Sequence, residues 1–264
     1  VPDLIAQLDA GKLLVFTLVL TRVSGLVMTA PVFSSTNVPI HVRAILAAAI
    51  SVLIMPSQWN ATLADPGTTL QYAVYIGSEL VVGLTLGLGI VILFSGIQLA
   101  GQVIGQLGGL MLADLFDPSS GESSPLVSHL LLLTSLAVFL LIGGHRMVLS
   151  ALLDTFTALP IGSGAIPTGI GQTFVVLAAQ SFSLAIRAAA PLVAALLLST
   201  LVMGLISRTL PQLNILVVGF GINAMVAFGT LALVIGVAVW VFQRQVEPSL
   251  ELICQSLKVP TPGR

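Results

Sequence analysis

Six stretches of this chain contain no Asp, Glu, Lys or Arg: residues 44–64, 80–113, 123–145, 155–186, 188–207 and 209–243. A helix needs about 20 apolar residues to cross roughly 30 Å of hydrocarbon, and every one of these runs reaches that length. An earlier segment, 13–31, is apolar apart from Arg22. In all, charged residues make up 7% of the 264 residues, against about 25% in a soluble domain, and the mean hydropathy is +1.11. So few charges cannot cover the surface of a water-soluble fold. They exclude an ordinary cytosolic enzyme, a disordered chain and a nucleic-acid binder, which needs a basic patch. The single Cys254 leaves no internal disulfide and no Cys-based zinc site.

Proline and glycine mark the edges of the predicted helices. Segment 13–30 ends at Pro31 and segment 40–55 at Pro56; a third begins near Gln71 and runs past Gly89. Segment 126–142 ends at Gly143-Gly144, and 170–206 is parted from 213–242 by Arg208-Thr209-Leu210-Pro211. About six hydrophobic helices follow, with no alternating ten-residue pattern to suggest a β-barrel. The start is not expected to be a cleaved signal peptide, because Arg22 interrupts the apolar stretch and Pro31 sits where a small residue is wanted. With six spans, Lys12, Arg146, Arg244, Lys258 and Arg264 share one side and Arg43 and Arg208 the other. That bias predicts both termini in the cytoplasm.

Several features do not suit a bundle surrounded only by lipid. Arg22 and Arg187 lie inside apolar segments, where a charge costs roughly 2.5–3.5 kcal/mol at the bilayer centre. They call for snorkelling or for an internal ion pair with Glu79 or Asp154. Glu79, Gly83 and Gly87 recur every four residues and share one helix face. Gly83 and Gly87 admit a close backbone, and that partner could also satisfy the carboxylate. Gln98, Gln102 and Gln106 form one column, and Gly101, Gly105 and Gly109 form the adjoining one. A face of glutamine and glycine suits a packing seam between subunits or the wall of an aqueous path, since unpaired amides do not belong in lipid.

The run 80–113 would be about 51 Å long as one helix, so a break is expected at Gly108-Gly109. Beyond it, Leu110, Met111, Leu112, Leu115 and Phe116 form an apolar knob before Asp117-Pro118-Ser119-Ser120-Gly121-Glu122. A re-entrant or interfacial helix end is the plain alternative. Pro191 cannot donate to the carbonyl of Arg187, so a kink is expected in 170–206.

Catalytic patterns are absent from the sequence: there is no HExxH, GxSxG or Walker loop. Gly162-Ser163-Gly164 could suggest an intramembrane serine hydrolase, but it reads more simply as a linker. The histidines are scattered and the carboxylates show no metal spacing, so no enzyme, cofactor or metal is expected.

In order along the chain stand Arg22, Ala30-Pro31-Val32-Phe33, Val38-Pro39, Arg43 and Pro56; then Glu79, Gly83, Gly87, Ala100-Gly101 and Asp117-Pro118; then Gly144-His145 and Leu159-Pro160. The most specific run is Arg208-Thr209-Leu210-Pro211-Gln212-Leu213-Asn214-Ile215. This series resembles the FliR family of flagellar export proteins, called SctT in injectisomes, over nearly the whole chain. A Pro and a Lys that the family commonly carries after that turn are replaced here in Gly219-Phe220-Gly221-Ile222-Asn223.

The resemblance implies an all-α, membrane-associated protein of helical hairpins, with a FliP-like part over 1–170 followed by a FliQ-like helical hairpin over 171–264. It implies a gate subunit of the type III export apparatus in the bacterial inner membrane and flagellar basal body. The expected partners are FliP-like and FliQ-like subunits, FlhB-like and FlhA-like export components, unfolded protein substrates and membrane lipid, with no nucleic acid. Gly108, Gly109, Leu110, Met111, Leu112, Leu115 and Phe116 match the family's plug by position. Arg22, Glu79, Arg187, Arg208, Pro211 and Asn214 are expected to serve subunit contacts. Helices of such a cone face other subunits, so the count of apolar segments need not equal the count of membrane crossings. An injectisome export-gate subunit, or a small secondary transporter with broken helices, is the competing reading.

Overall fold

The computed structural model describes residues 10–33, 38–59, 67–108, 126–164, 167, 169–209 and 215–257. Among these the fold is all-α, as expected. The helices are α1 (Ala10–Thr29), α2 (Ile40–Ile54), α3 (Thr69–Leu107), α4 (Leu126–Leu141), α5 (Gly144–Ala158), α6 (Ile170–Thr209) and α7 (Ile215–Leu257). A short 3-10 turn, Met55–Gln58, extends α2. Helices α1, α3, α6 and α7 and the extended α2 are each long and apolar enough to cross a membrane, while α4 and α5 would make a sixth span only as a pair bent by 67°.

Local chemistry explains the boundaries. Helix α1 stops just short of Ala30-Pro31, because a residue before proline avoids the helical region. Pro39 precedes α2 with extended backbone, and Pro56 turns the end of α2 into a 3-10 turn, since it has no N–H for the α-helical ladder. Gly143 takes a left-handed conformation, φ 78°, which a residue with a Cβ adopts only at a cost. The chain breaks there between α4 and α5. Helix α6 continues through Pro191 and α7 through Pro248.

Two lengths differ from the sequence expectation. Helix α5 was not foreseen, and α7 runs fifteen residues beyond 242, to Leu257. Both extra segments are amphipathic. In α5, Val148, Ala151, Leu152, Thr155 and Phe156 are buried, while Arg146, Asp154 and Thr157 are exposed. At the end of α7, Ser249, Leu250, Ile253 and Leu257 are buried while Glu247, Glu251 and Gln255 are exposed. A 3.6-residue period holds these stretches in helix although they carry charges.

The chain forms two compact units. The first holds residues up to 92, 143–177 and those from 248 onward. Its core comes from Leu18, Val19, Val23 and Leu26 of α1, Val82, Leu86 and Ile90 of α3, and Val148, Leu152 and Phe156 of α5. The second holds 93–142 and 178–247. There Phe94 packs edge-on against Phe139 at 5.5 Å between ring centroids and lies tilted against Phe242 at 5.1 Å. Within it α6 and α7 are antiparallel neighbours: Gln245 Nε2 donates to Gln180 Oε1 at 2.9 Å, and Ser199 Oγ donates to Asn223 Oδ1 at 2.9 Å. Asn223, in the stretch that departs from the family pattern, thus contributes a hydrogen bond to the hairpin.

Candidate functional site: a buried ion pair and two glycine seams

Arg22 and Glu79 are 1% and 2% exposed. The Nε of Arg22 donates to Glu79 Oε2 at 2.5 Å. Its remaining arms reach α5 and the turn after it: Nη1 donates to Thr155 Oγ1 at 3.2 Å, and Nη2 to the carbonyl of Leu159 at 3.0 Å. The second carboxylate oxygen, Oε1, accepts from the backbone N–H of Gly162 at 3.1 Å. The guanidinium carbon also lies 4.3 Å from the centroid of the Phe156 ring. Burying charge is tolerable when the pair is matched and its remaining donors and acceptors are occupied. Here a guanidinium and a carboxylate satisfy each other and tie α1, α3 and α5 together.

Each partner is available for a local reason. Leu159 follows the last residue of α5, so its carbonyl has no helical partner and is free to accept. Gly162 is left-handed, φ 74°, which turns the chain back so that its N–H meets Glu79. Gly162-Ser163-Gly164 is therefore the turn that completes the ion-pair network. Ser163 donates its backbone N–H to the carbonyl of Pro160 at 3.2 Å and lies on the surface.

Beside the pair, α1 and α3 meet through glycine. A Cβ on Gly83 would overlap the carbonyl oxygen of Arg22 and stand 3.2 Å from the Cα of Gly25. A Cβ on Gly25 would lie 3.0 Å from the backbone nitrogen of Leu84, and one on Gly87 would overlap the hydroxyl of Thr29. The close partner anticipated for Gly83 and Gly87 is thus α1 of the same chain. The same helix supplies the carboxylate's partner, Arg22, which pairs with Glu79 rather than with Asp154, exposed on α5.

A second seam lies in the other unit. A Cβ on Gly101 would overlap the backbone of Ser128 in α4, and one on Gly96 would stand 2.5 Å from the carbonyl oxygen of Ser181 in α6. Ser128 Oγ donates across the first contact to the carbonyl of Gln98 at 2.9 Å. Gly101, Gly105 and Gly108 are buried, Gln98 is half-buried, and Gln102 and Gln106 are exposed. Gly101 and Gly105 are therefore used inside the chain, while Gln102 and Gln106 face outward.

The other sequence-predicted residues separate. Arg22 and Glu79, expected at subunit contacts, are spent within the chain. Arg187 is exposed on α6, and Arg208 is exposed in its last turn. Gly108 follows α3 with its N–H on the carbonyl of Ile104 at 2.9 Å. Gly109, Leu110, Met111, Leu112, Leu115, Phe116, Pro211 and Asn214 lie outside the described residues. Sequence reasoning missed Thr155, Phe156, Leu159 and Gly162. The apolar period of α5 was the signal that could have placed the first two.

Comparison with known proteins agrees with the resemblance. The family model for bacterial export proteins, family 1, matches residues 13–249. A flagellar biosynthetic protein FliR from Escherichia coli (strain K12) is 31% identical over 214 residues, covering 81% of each chain. FliR from Pectobacterium carotovorum is 33% identical over 218 residues, again 81% of each. FliR from Bacillus subtilis (strain 168) is 30% identical over 220 residues, 81% of this chain and 83% of its own. With nearly its whole apolar length matched by that model, this chain belongs to family 1 of the bacterial export proteins, the family of the flagellar FliR proteins.

Proposed function

We propose that this chain is a pore and gate subunit of the flagellar type III export apparatus. It assembles with FliP-like and FliQ-like subunits in the bacterial inner membrane, within the basal body, into a channel for unfolded flagellar proteins. FlhB-like and FlhA-like components work beside it. Residues 1–170 form the FliP-like part and 171–264 the FliQ-like hairpin. Residues 108–122 form the plug of the closed channel.

The observation that carries this reading is Arg187. It is exposed eighteen residues into a forty-residue apolar helix, beside exposed Phe182 and Ile186, and no acidic residue pairs with it among the described residues. A cation held there against acyl chains would cost several times the thermal energy. A neighbouring subunit that offers a carboxylate, or helix-end carbonyls, removes that cost. Arg208, exposed in the last turn of the same helix, extends the contact.

Co-purification tests the reading. Tagged chain should bring down FliP-like and FliQ-like subunits. Arg187→Ala should lower that yield severalfold, as should Arg208→Glu combined with Pro211→Ala. Recovery of the chain alone in every detergent tried would refute the proposal.

A further inference from the structure

Helix α2 differs from the helices that carry the exposed glutamines and Arg187. Between residues 44 and 53 its exposed positions are Ala44, Ile45, Leu46, Ala49, Val52 and Leu53, all apolar. Its polar residue in that stretch, Ser51, is buried and donates to the carbonyl of Ala47 at 2.7 Å. At 100° per residue the exposed positions sweep about 200° of the helix circumference. One packed helix covers a stripe on the order of 100° wide, and α1 already takes the opposite side through Ala47, Ser51 and Ile54. A second helix would leave much of the bare arc uncovered. Fluid hydrocarbon covers an arc of any width.

The two ends of α2 carry the groups that suit a bilayer boundary. Ile40–Gln58 is 19 residues long, about 28 Å at 1.5 Å per residue, close to the roughly 30 Å of a hydrocarbon core. His41 and Arg43 stand at its start. At its far end Trp59 is 46% exposed, and Lys12 Nζ, from the first turn of α1, lies 4.3 Å above its ring. A tryptophan with an apolar body and a polar edge settles at headgroup depth. The ammonium above it supplies the charge that an anionic phosphate seeks, and no carboxylate lies within α2 or its 3-10 extension to oppose it.

The geometry points to α2 as a lipid-facing surface of this chain, with Lys12 and Trp59 forming an anchoring site for an anionic phospholipid headgroup. The arc from Ala44 to Leu53 contacts acyl chains, and Lys12 binds the phosphodiester while Trp59 sits beside the glycerol. This assignment does not depend on the identity of the neighbouring subunits.

Nitroxide labels at Ile45→Cys, Ala49→Cys and Leu53→Cys, each in a Cys254→Ser background, test the apolar arc. The assembled complex is reconstituted in phosphatidylcholine–phosphatidylglycerol vesicles, and collision rates with oxygen and with a water-soluble nickel chelate are read by power-saturation spectroscopy. All three labels should collide with oxygen severalfold more often than a label at buried Ala47→Cys, with the chelate excluded most strongly at 49. Labels shielded from both reagents would mean that protein covers α2, and chelate access would mean water; either overturns the assignment. Native mass spectrometry of the same complex reads the headgroup. Lys12→Gln should retain a fewfold less phosphatidylglycerol, with Lys12→Arg restoring it. Equal retention in Lys12→Gln and the unaltered protein would eliminate Lys12 as the headgroup site.

Discussion

Arg22 contributes both halves of itself to the meeting with α3: its guanidinium takes the carboxylate of Glu79, and its backbone carbonyl occupies the space where a side chain at Gly83 would begin. The ion pair and the glycine notch are thus one contact seen from two atoms. A glycine four residues past the carboxylate lets the helices close enough for the short bond to form.

Removing one charge of this pair should be far worse than removing both. Glu79→Ala leaves a buried guanidinium uncompensated, at a cost of about 3–5 kcal/mol. Arg22→Met with Glu79→Leu replaces the pair with apolar groups of similar volume and should recover much of that loss. Thermal unfolding of the purified chain in detergent measures both, and equal midpoints for the single and double variants would contradict the expectation.

Gly83→Ala should destabilise the chain by about 1–3 kcal/mol, because the new methyl meets backbone and not a yielding side chain. Gly77→Ala is the control on the same helix. Nothing lies within 4 Å of a Cβ there, so the substitution should be neutral or stabilise by up to about 1 kcal/mol through helix propensity. The opposite signs of the two shifts in unfolding midpoint are the result to look for.

In the second seam, Gly101→Leu should prevent α3 and α4 from closing over Ser128 and so abolish secretion. The glutamine column should be covered by protein or water in the assembled complex. Cysteines at 98, 102 and 106 should therefore resist a lipid-phase alkylating probe. Rapid labelling of all three would place the column in lipid.

Deleting residues 110–116 should leave the complex assembled but leaky. The deleted apolar side chains are the ones that would dewet a constriction. Ion conductance, or swelling of cells in a small solute, reads the leak. A deletion complex as tight as the unaltered one would assign the seal elsewhere.

The long apolar helices were legible because charge-free runs and prolines mark them without reference to tertiary structure. Glu79, Gly83 and Gly87 were legible as one face for the same reason: helical spacing is local. The destination of that face was not. Nothing in the spacing distinguishes α1 of the same chain from a helix of a neighbour, and the internal partner expected for Arg22 stayed open between Glu79 and Asp154 for that reason. Helix α5 was obscured by its own Arg146 and Asp154, which end a hydropathy run without ending a helix. Thr155 and the carbonyl of Leu159 became visible only with α5 in place. Gly162 read as a linker because its contribution is a backbone N–H, which no side-chain pattern announces.

The ion-pair network also has an order in time. Arg22 and Glu79 are separated by 57 residues and Glu79 and Gly162 by 83. A ribosome adding roughly 5–20 residues per second needs about 4–17 s to pass from the carboxylate to the glycine that completes its shell. Through that interval Glu79 Oε1 lacks the backbone N–H from which it accepts in the folded chain. Emergence of the turn at 159–162 supplies the last donors and acceptors at once. The network is therefore completed only once α5 has been made, and the residues from 248 onward that belong to the same unit follow later still.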